Sequence, residues 1–573
     1  MKFLIYQVLP RLYGNESTTN SVNGSITENG AGKMSAFDGK TLAAIHSMGF
    51  THVWFTGVIR HATQTDYSAY GIPSCHPAIV KGKAGSPYAI TDYYDVDPDI
   101  ADTIDCRMAE FEDLVRRTHE AQMKVIIDFV PNHVARQYYS VAKPKGVKDF
   151  GADDDTRKCF DPQNNFYYCP DEAFAPYIDL KAGSGTAYYE SPAKATGNDC
   201  FHAHPSINDW YETVKLNYGR PPSPPLSPQG GMKGSGHSPL GEQGGGCLFY
   251  PIPDTWNKMT DILLYWAAKG VDGFRCDMAE MVPVDFWHYA TTKVREAYPE
   301  MLFIGEVYNP SLYRSYIGWG GFTYLYDKVG MYDTLRGVTC GYLPASDITR
   351  AWQQIGDIQD KMLYFLENHD EQRIASRFFA DDGKRALPAL IVATLMQGNP
   401  FMMYMGQSIG ERAEASEGFS GDDGRTTIFD YWCVESLLRF RKRRLTTDEK
   451  YLHSIYNKVL RFASKEKTVA EGKFFDLMYV NPTSEQFSQE RQYAFLRQHG
   501  KKLILVCANF DDKAVGCKVI IPAHAFEYLE IEECTANGVE VFTGEKGKFE
   551  LKKDSALELF VPANFATVWK ITL

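Results

Sequence analysis

"DTWNKMTDILLYWAAKGVDGFRCDM", residues 254–278, holds the unit from which the fold is read. An amphipathic stretch runs to Gly270, and the short apolar run Gly273 to Met278 follows it, which reads as a helix closing at a turn and then a strand. The same unit recurs outward from this point. "FDGKTLAAIHSMGF" precedes "THVWFTGV" (51–58), and "FEDLVRRTHEAQM" precedes "KVIIDFV" (124–130). "MLFIGEV" (301–307), "MLYFLENHD" (362–370) and "PFMMYMG" (400–406) continue the series, and "MKFLIYQVLPRLYGN" reads as a first strand. Strands separated by helices pair in parallel, because each crossover needs a helix. Six or more such units favour an α/β fold closed into a (β/α)8 TIM barrel over an open sheet, and such barrels carry their chemistry at the C-terminal strand ends.

The rhythm breaks twice. After the third strand the alternation stops, which predicts an irregular inserted domain over 133–250 between two parts of the barrel, 1–132 and 251–450. Its Gly- and Pro-dense end, "GRPPSPPLSPQGGMKGSGHSPLGEQGGGC" (219–247), reads as a flexible or polyproline-like surface loop. From 451 to 573 only strands are expected, "RQYAFLRQHGKKLILVCANFDD" as a hairpin and "ALELFVPANFATVWKITL" as closing strands of a C-terminal antiparallel β-sandwich.

A formal net charge of −12 without any Lys/Arg-rich run argues against nucleic acid or an anionic membrane as the partner. No apolar run approaches the ~18 residues that span a bilayer. The apolar start is interrupted by Tyr6, Gln7, Pro10 and Arg11 without a small-residue cleavage site, so no signal peptide is read there. Twelve cysteines lie scattered without a repeated spacing; Cys159 and Cys169 lack the gap of a zinc knuckle. Together these predict reduced thiols and a cytoplasmic protein. Aromatics are 14% of the chain, which suits a core and equally suits the stacking of sugar rings.

Within "GFRCDM", Arg275 and Asp277 stand two apart at a strand end. An isolated pair of this kind is most often a structural ion pair. Here it has company: Asp128 in "IIDFVPNH", Glu306 in "FIGEVY" and Asp370 in "LENHDEQR" also follow apolar runs and would gather at one rim of the barrel. Three of the four have a partner nearby in the chain, namely His133 for Asp128, Arg275 for Asp277, and His369 with Arg373 for Asp370. Clustered carboxylates repel one another and are costly to desolvate, so several at one rim point to function. A carboxylate and a carboxylic acid side by side are what cleavage of a glycosidic bond needs.

In these motifs the sequence resembles the α-amylase family, glycoside hydrolase family 13, over most of its length. "DFVPNH" (128–133), "GFRCD" (273–277), "GE" (305–306) and "NHD" (368–370) are similar to the family's four signature regions, in order. "SPYAITDYYDVDP" (86–98) resembles the segment with a stacking tyrosine, and "NPFMMYMGQSIG" (399–410) the eighth strand. The resemblance implies a retaining hydrolase of α-glucans or maltooligosaccharides, with Asp277 as nucleophile, Glu306 as acid and then base, and Asp370 holding the distorted sugar. Arg275 would keep Asp277 ionised and aimed, His133 and His369 would bind sugar hydroxyls, Tyr88 would stack under the ring, and Arg373 would orient the same pocket. Asp128 is implied to be structural. A transglycosylase shares the first half-reaction and stays open; an inactive carbohydrate-binding relative is disfavoured because all three catalytic carboxyls are present.

Two departures follow the nucleophile, where many relatives carry Lys-His and this chain has Glu280 and Met281. Glu280 is expected to face the acceptor subsite and to repel phosphorylated sugars. Loss of the histidine removes a usual calcium-associated residue, while Asn132 remains as a calcium ligand offered by the resemblance. Asp153, Asp154 and Asp155 read as a solvated acidic loop, so calcium is left open and no cofactor is required for the chemistry. "INDWYETVKLNYG" (207–219) is the nearest match to a fifth, less regular signature region.

Overall fold

The computed structural model describes residues 2–222 and 249–573. Eight parallel strands close into a barrel: β1 Leu4–Val8, β2 His52–Phe55, β3 Lys124–Phe129, β4 Gly273–Cys276, β5 Leu302–Gly305, β6 Tyr324–Tyr326, β7 Met362–Phe365 and β8 Phe401–Tyr404. Each pairs with the next, and β1 closes the ring against β8. Seven of these strands lie within runs read from the sequence. β6 does not: it is three residues long, sits in a glycine-flanked aromatic stretch, and has too little periodicity to stand out.

Alternation along each strand sorts residues between two cores. Ile5, Trp54, Ile126, Ile304, Tyr326 and Leu363 point inward and pack together inside the barrel. Their chain neighbours, such as Val53, Val125, Ile127, Phe274 and Phe303, point outward against the helices. The period of two therefore places Arg275 on the inward face of β4, with Asp277 two residues further along the chain. In register, Arg275 lies opposite Asp128 of β3 and Ile304 of β5.

The described residues between β3 and helix Asp254–Ala268 are irregular, with two small antiparallel pairings, His133–Ala135 with Thr213–Lys215 and Tyr168–Cys169 with Ala193–Lys194. Of the Gly/Pro-rich stretch 219–247, residues 223–247 lie outside the described residues. The expected change to strands at 451 is corrected: residues Thr447–Lys465 form a 19-residue helix capped by Thr446 and Glu449. The first strand beyond it is Lys473–Asp476, at the edge of a six-stranded antiparallel sheet that faces a separate two-stranded one. Helix Leu387–Leu395, "LPALIVATL", is buried at every position, because one side meets the barrel and another meets this sheet. Arg497 fastens the two parts, donating to the carbonyls of Met396 and Val469, each at 2.7 Å. Among the described residues no helix is long and apolar enough to cross a membrane.

Candidate active site

The C-terminal ends of β3, β4, β5 and β7 bring four carboxyls around one guanidinium. Arg275 is fully buried. Its Nη1 donates to Asp277 Oδ1 at 2.7 Å and to Asp128 Oδ1 at 3.4 Å, and its Nη2 pairs with Glu306 Oε2 at 2.8 Å. Nε donates to the Tyr326 hydroxyl at 3.3 Å, and the cation lies over the rings of Trp54 and Tyr88, 5.3 Å from each centroid. A planar fork of five donors can serve several carboxylates at once, which an ammonium on a flexible stem does less well. Arg275 thus reaches beyond Asp277 to Glu306 as well.

Asp277 and Glu306 are placed by backbone as much as by charge. The amide of Asp277 donates to Phe129 O at 2.9 Å, and that of Glu306 to Cys276 O at 3.1 Å, extending the ladder past the strand ends. Met278 then adopts a left-handed conformation, φ 44° and ψ 42°, uncommon for a residue with a side chain. That turn aims its amide at Glu306 Oε2, at 2.8 Å. The other Glu306 oxygen accepts from the Tyr308 hydroxyl at 2.5 Å.

Asp370 closes the cluster from the loop after β7. His369 bonds on both sides: Nδ1 lies 2.8 Å from Gln7 Nε2, and Nε2 lies 2.5 Å from the Tyr88 hydroxyl and 3.0 Å from Asp370 Oδ2. With the Gln7 amide donating to Nδ1, the ring proton sits on Nε2, facing Asp370. Burial, and then the Arg275 charge, push His369 well below its ordinary range, so it is neutral. Tyr88 stacks on His369 with centroids 5.1 Å apart. Asp128 receives the indole N–H of Trp54 at 3.0 Å and the Tyr88 hydroxyl at 3.4 Å, so it ties three elements together behind the site.

The charges oppose one another. Burial pushes Asp277 well above the usual carboxylate range; Arg275 works against this, while Glu306 and Asp370 add to it. The expectation that Arg275 keeps Asp277 ionised is therefore corrected: the cation lowers the carboxyl, but desolvation outweighs it. Asp370 is raised to about 7 by burial and then by Glu306, though its side chain remains 42% exposed and solvent moderates that effect. Asp128 is raised to about 6, chiefly by burial.

Residues 12–169 and 247–466, more than half of the chain, match the family model of the α-amylase catalytic domain. The chain belongs to the α-amylase family. Its enzymes are glycoside hydrolases, and the match passes through all four strand-end carboxyls. The chain is 24% identical to α-amylase 3 of Dictyoglomus thermophilum over 67% of its own length and 68% of that protein. It is 23% identical to a cyclomaltodextrinase of Bacillus sp. over 89% and 73%, respectively. A shorter similarity, 28% over 27% of the chain and 22% of the relative, is to an α-1,4-glucan:maltose-1-phosphate maltosyltransferase of Myxococcus xanthus. In structure it resembles the noncanonic maltogenic α-amylase AmyB of Thermotoga neapolitana, with TM-score 0.61 at 19% identity over 100% of this chain and 99% of that one. The α-amylase of Geobacillus thermoleovorans gives TM-score 0.63 at 16% identity, covering 100% and 98%.

Against this family frame three sequence expectations change. Glu280 does not project as a free charge: its Oε2 accepts from the amides of Tyr308 and Asn309, each at 2.9 Å, and so clamps the loop that carries Tyr308. Arg373 is fully buried away from the carboxyl cluster, pairing with Glu367 at 2.8 Å and donating to Met405 O at 2.7 Å and Thr426 Oγ1 at 2.8 Å. It braces the loop after β7 from behind. The acidic run is not simply solvated, because Asp154 accepts from the amides of Asn165 and Phe166, at 2.8 and 3.0 Å, while Asp153 and Asp155 pair with Lys148 and Arg157.

His133 opens the strand paired with Thr213–Lys215 and packs on Trp210, ring centroids 5.3 Å apart. Burial and the nearby Lys215 push it down to about 3. Asn132, offered as a calcium ligand, has its side-chain oxygen hydrogen-bonded by the Lys215 ammonium. An ammonium on that oxygen repels a divalent cation, so these residues do not fit calcium. Gln7, Trp54, Tyr308 and Lys215 escaped the sequence reading. A glutamine inside "LIYQV" and a tyrosine two residues past Glu306 were the available signals.

Proposed function

We propose that this α-amylase family enzyme hydrolyses α-glucosidic bonds of maltooligosaccharides with retention, Asp277 acting as nucleophile and Glu306 as acid and base. The supporting observation is the shared guanidinium: Arg275 at 2.7 Å from Asp277 and 2.8 Å from Glu306 holds the two carboxyls side by side. That suits the ~5–5.5 Å separation of retaining sites better than the wider gap that leaves room for an attacking water. Asp277 attacks the anomeric carbon as the bond to the leaving oxygen breaks, and Glu306 gives its proton to that oxygen. Water then loses a proton to Glu306 and attacks the glycosyl ester, returning Asp277. Asp370 and the neutral His369 hold sugar hydroxyls.

NMR of the first-formed product tests this reading, and the α-anomer is expected; initial β-product would end it. Asp277→Asn and Glu306→Gln should each cost about 10⁴-fold or more in kcat with an unchanged circular dichroism spectrum. A second reading, transfer to a sugar hydroxyl in place of water, is favoured by the similarity to the maltosyltransferase. Product chromatography with maltotriose separates the two, since transfer yields chains longer than the substrate. We assign the protein to the cytoplasm on its eleven described cysteines, all free. Cys247 lies outside the described residues. Thiol titration of denatured, unreduced protein should find all twelve free.

A further inference from the structure

Lys215 stands where the inserted segment meets the barrel. Its side chain is only 8% exposed, and Nζ reaches three oxygens from three separate stretches of chain. Asp199 Oδ1 lies at 2.7 Å, the carbonyl of Met281 at 3.4 Å, and the side-chain oxygen of Asn132 accepts a hydrogen bond. Asn132 follows β3, Met281 follows β4, and Asp199 belongs to the inserted segment, where it holds a left-handed conformation, φ 63°. The amide nitrogen of Asn132 donates to Gly197 O at 2.8 Å, which fixes the orientation of that side chain and turns its oxygen toward the lysine.

We propose that Lys215 is a built-in cation that fastens the inserted domain to the barrel and leaves no place there for calcium. An ammonium carries three donors and no acceptor, matching one carboxylate, one amide oxygen and one carbonyl. Calcium asks for six to eight oxygens at ~2.3–2.6 Å, and carboxylates to balance its charge. Here a single carboxylate faces the site, and its charge is already paired with the lysine. Among the described residues no three His, Cys, Asp or Glu side chains gather to hold an ion. A covalently attached cation differs from a bound one in a measurable way, because it cannot be chelated or diluted away. The junction also bears on the site: Lys215 is the register partner of His133, so the same strand pairing holds a residue expected to bind sugar.

The decisive measurement uses the wild-type protein. Its Tm should be the same, within about 1 °C, in EDTA and in millimolar calcium, because an ion that binds only the folded state would raise it. Metal analysis of the purified enzyme should find far less than one calcium per chain. A Tm that falls by several degrees on chelation, or calcium retained at one per chain, overturns the proposal. Lys215→Met should lower Tm by about 5 °C. It should also speed hydrogen exchange in the His133–Ala135 and Thr213–Lys215 pairing; an unchanged Tm with unchanged exchange would equally overturn it. If the variant does not fold, the wild-type comparison decides alone.

Discussion

Three residues after Asp277, Glu280 accepts hydrogen bonds from two backbone amides, and those amides set the loop that presents Tyr308 to Glu306. Tyr308→Phe should therefore lower kcat about 10-fold, roughly the worth of one hydrogen bond. Glu280→Ala should lower kcat similarly by freeing the loop, and adding it to Tyr308→Phe should cost little more. Full multiplicativity in that double-mutant cycle would show the two to be independent. Asp370 acts on Asp277 through space, raising it as burial does. As the proposed nucleophile, Asp277 must be ionised to attack, so activity should fall as pH drops through its raised pKa. The acid limb of kcat/KM should lie above the ordinary range near ~4. In Asp370→Asn, beyond a large loss of rate, the limb should move to lower pH because one repelling charge is gone. A limb that stays put would remove Asp370 from that coupling.

The turn after β4 is the element that converts a regular strand into a site. Its left-handed Met278 directs an amide at Glu306. Such a backbone costs about 1 kcal/mol for a residue with a Cβ, and glycine adopts it freely. Met278→Gly should keep Tm the same or raise it by a degree or two, while kcat falls because the freed turn no longer holds the amide in place. A β-branched Met278→Val should lower Tm clearly. Equal effects of the two substitutions would mean that the turn is not strained.

Across the molecule, burial sets the pH dependence of stability. Asp327 is raised to about 7 and Glu417 to about 8, both chiefly by desolvation, and Asp277 is raised as well. A carboxyl raised in the folded state holds a proton that the unfolded chain has released, so stability falls as pH rises until the folded pKa is passed. His52, His61 and His133 work the other way, lowered to about 3 from 6.5, but their contribution is complete once the pH exceeds 6.5. Above that point the raised carboxyls still titrate, and burial of Cys169 and Cys433, each held up at about 11, acts in the same direction. Tm should decline by a few degrees from pH 6.5 to 8.5, as differential scanning calorimetry would show; a rising Tm would mean that these carboxyls are ionised in the folded protein.

Local pattern was enough for what depends on neighbours in the chain. Helix–strand alternation marked seven of the eight barrel strands. The period of two placed Arg275 and Asp277 on one inward face. The strand-end positions of Asp128, Glu306 and Asp370 could be read the same way, because a side chain's direction on a strand follows from its count along it. Tertiary structure alone decided which distant groups meet. Lys215 and Asn132 stand 83 residues apart, and nothing in "ETVKLNY" distinguishes an exposed lysine from a buried one. Arg373 sits three residues from Asp370 yet points away, because Glu367 and Met405 O claim its guanidinium. Glu280 lost its freedom to two amides from the next strand's loop. A buried charge goes to whichever partners satisfy it, and those partners are brought together by folding, not by spacing in the chain.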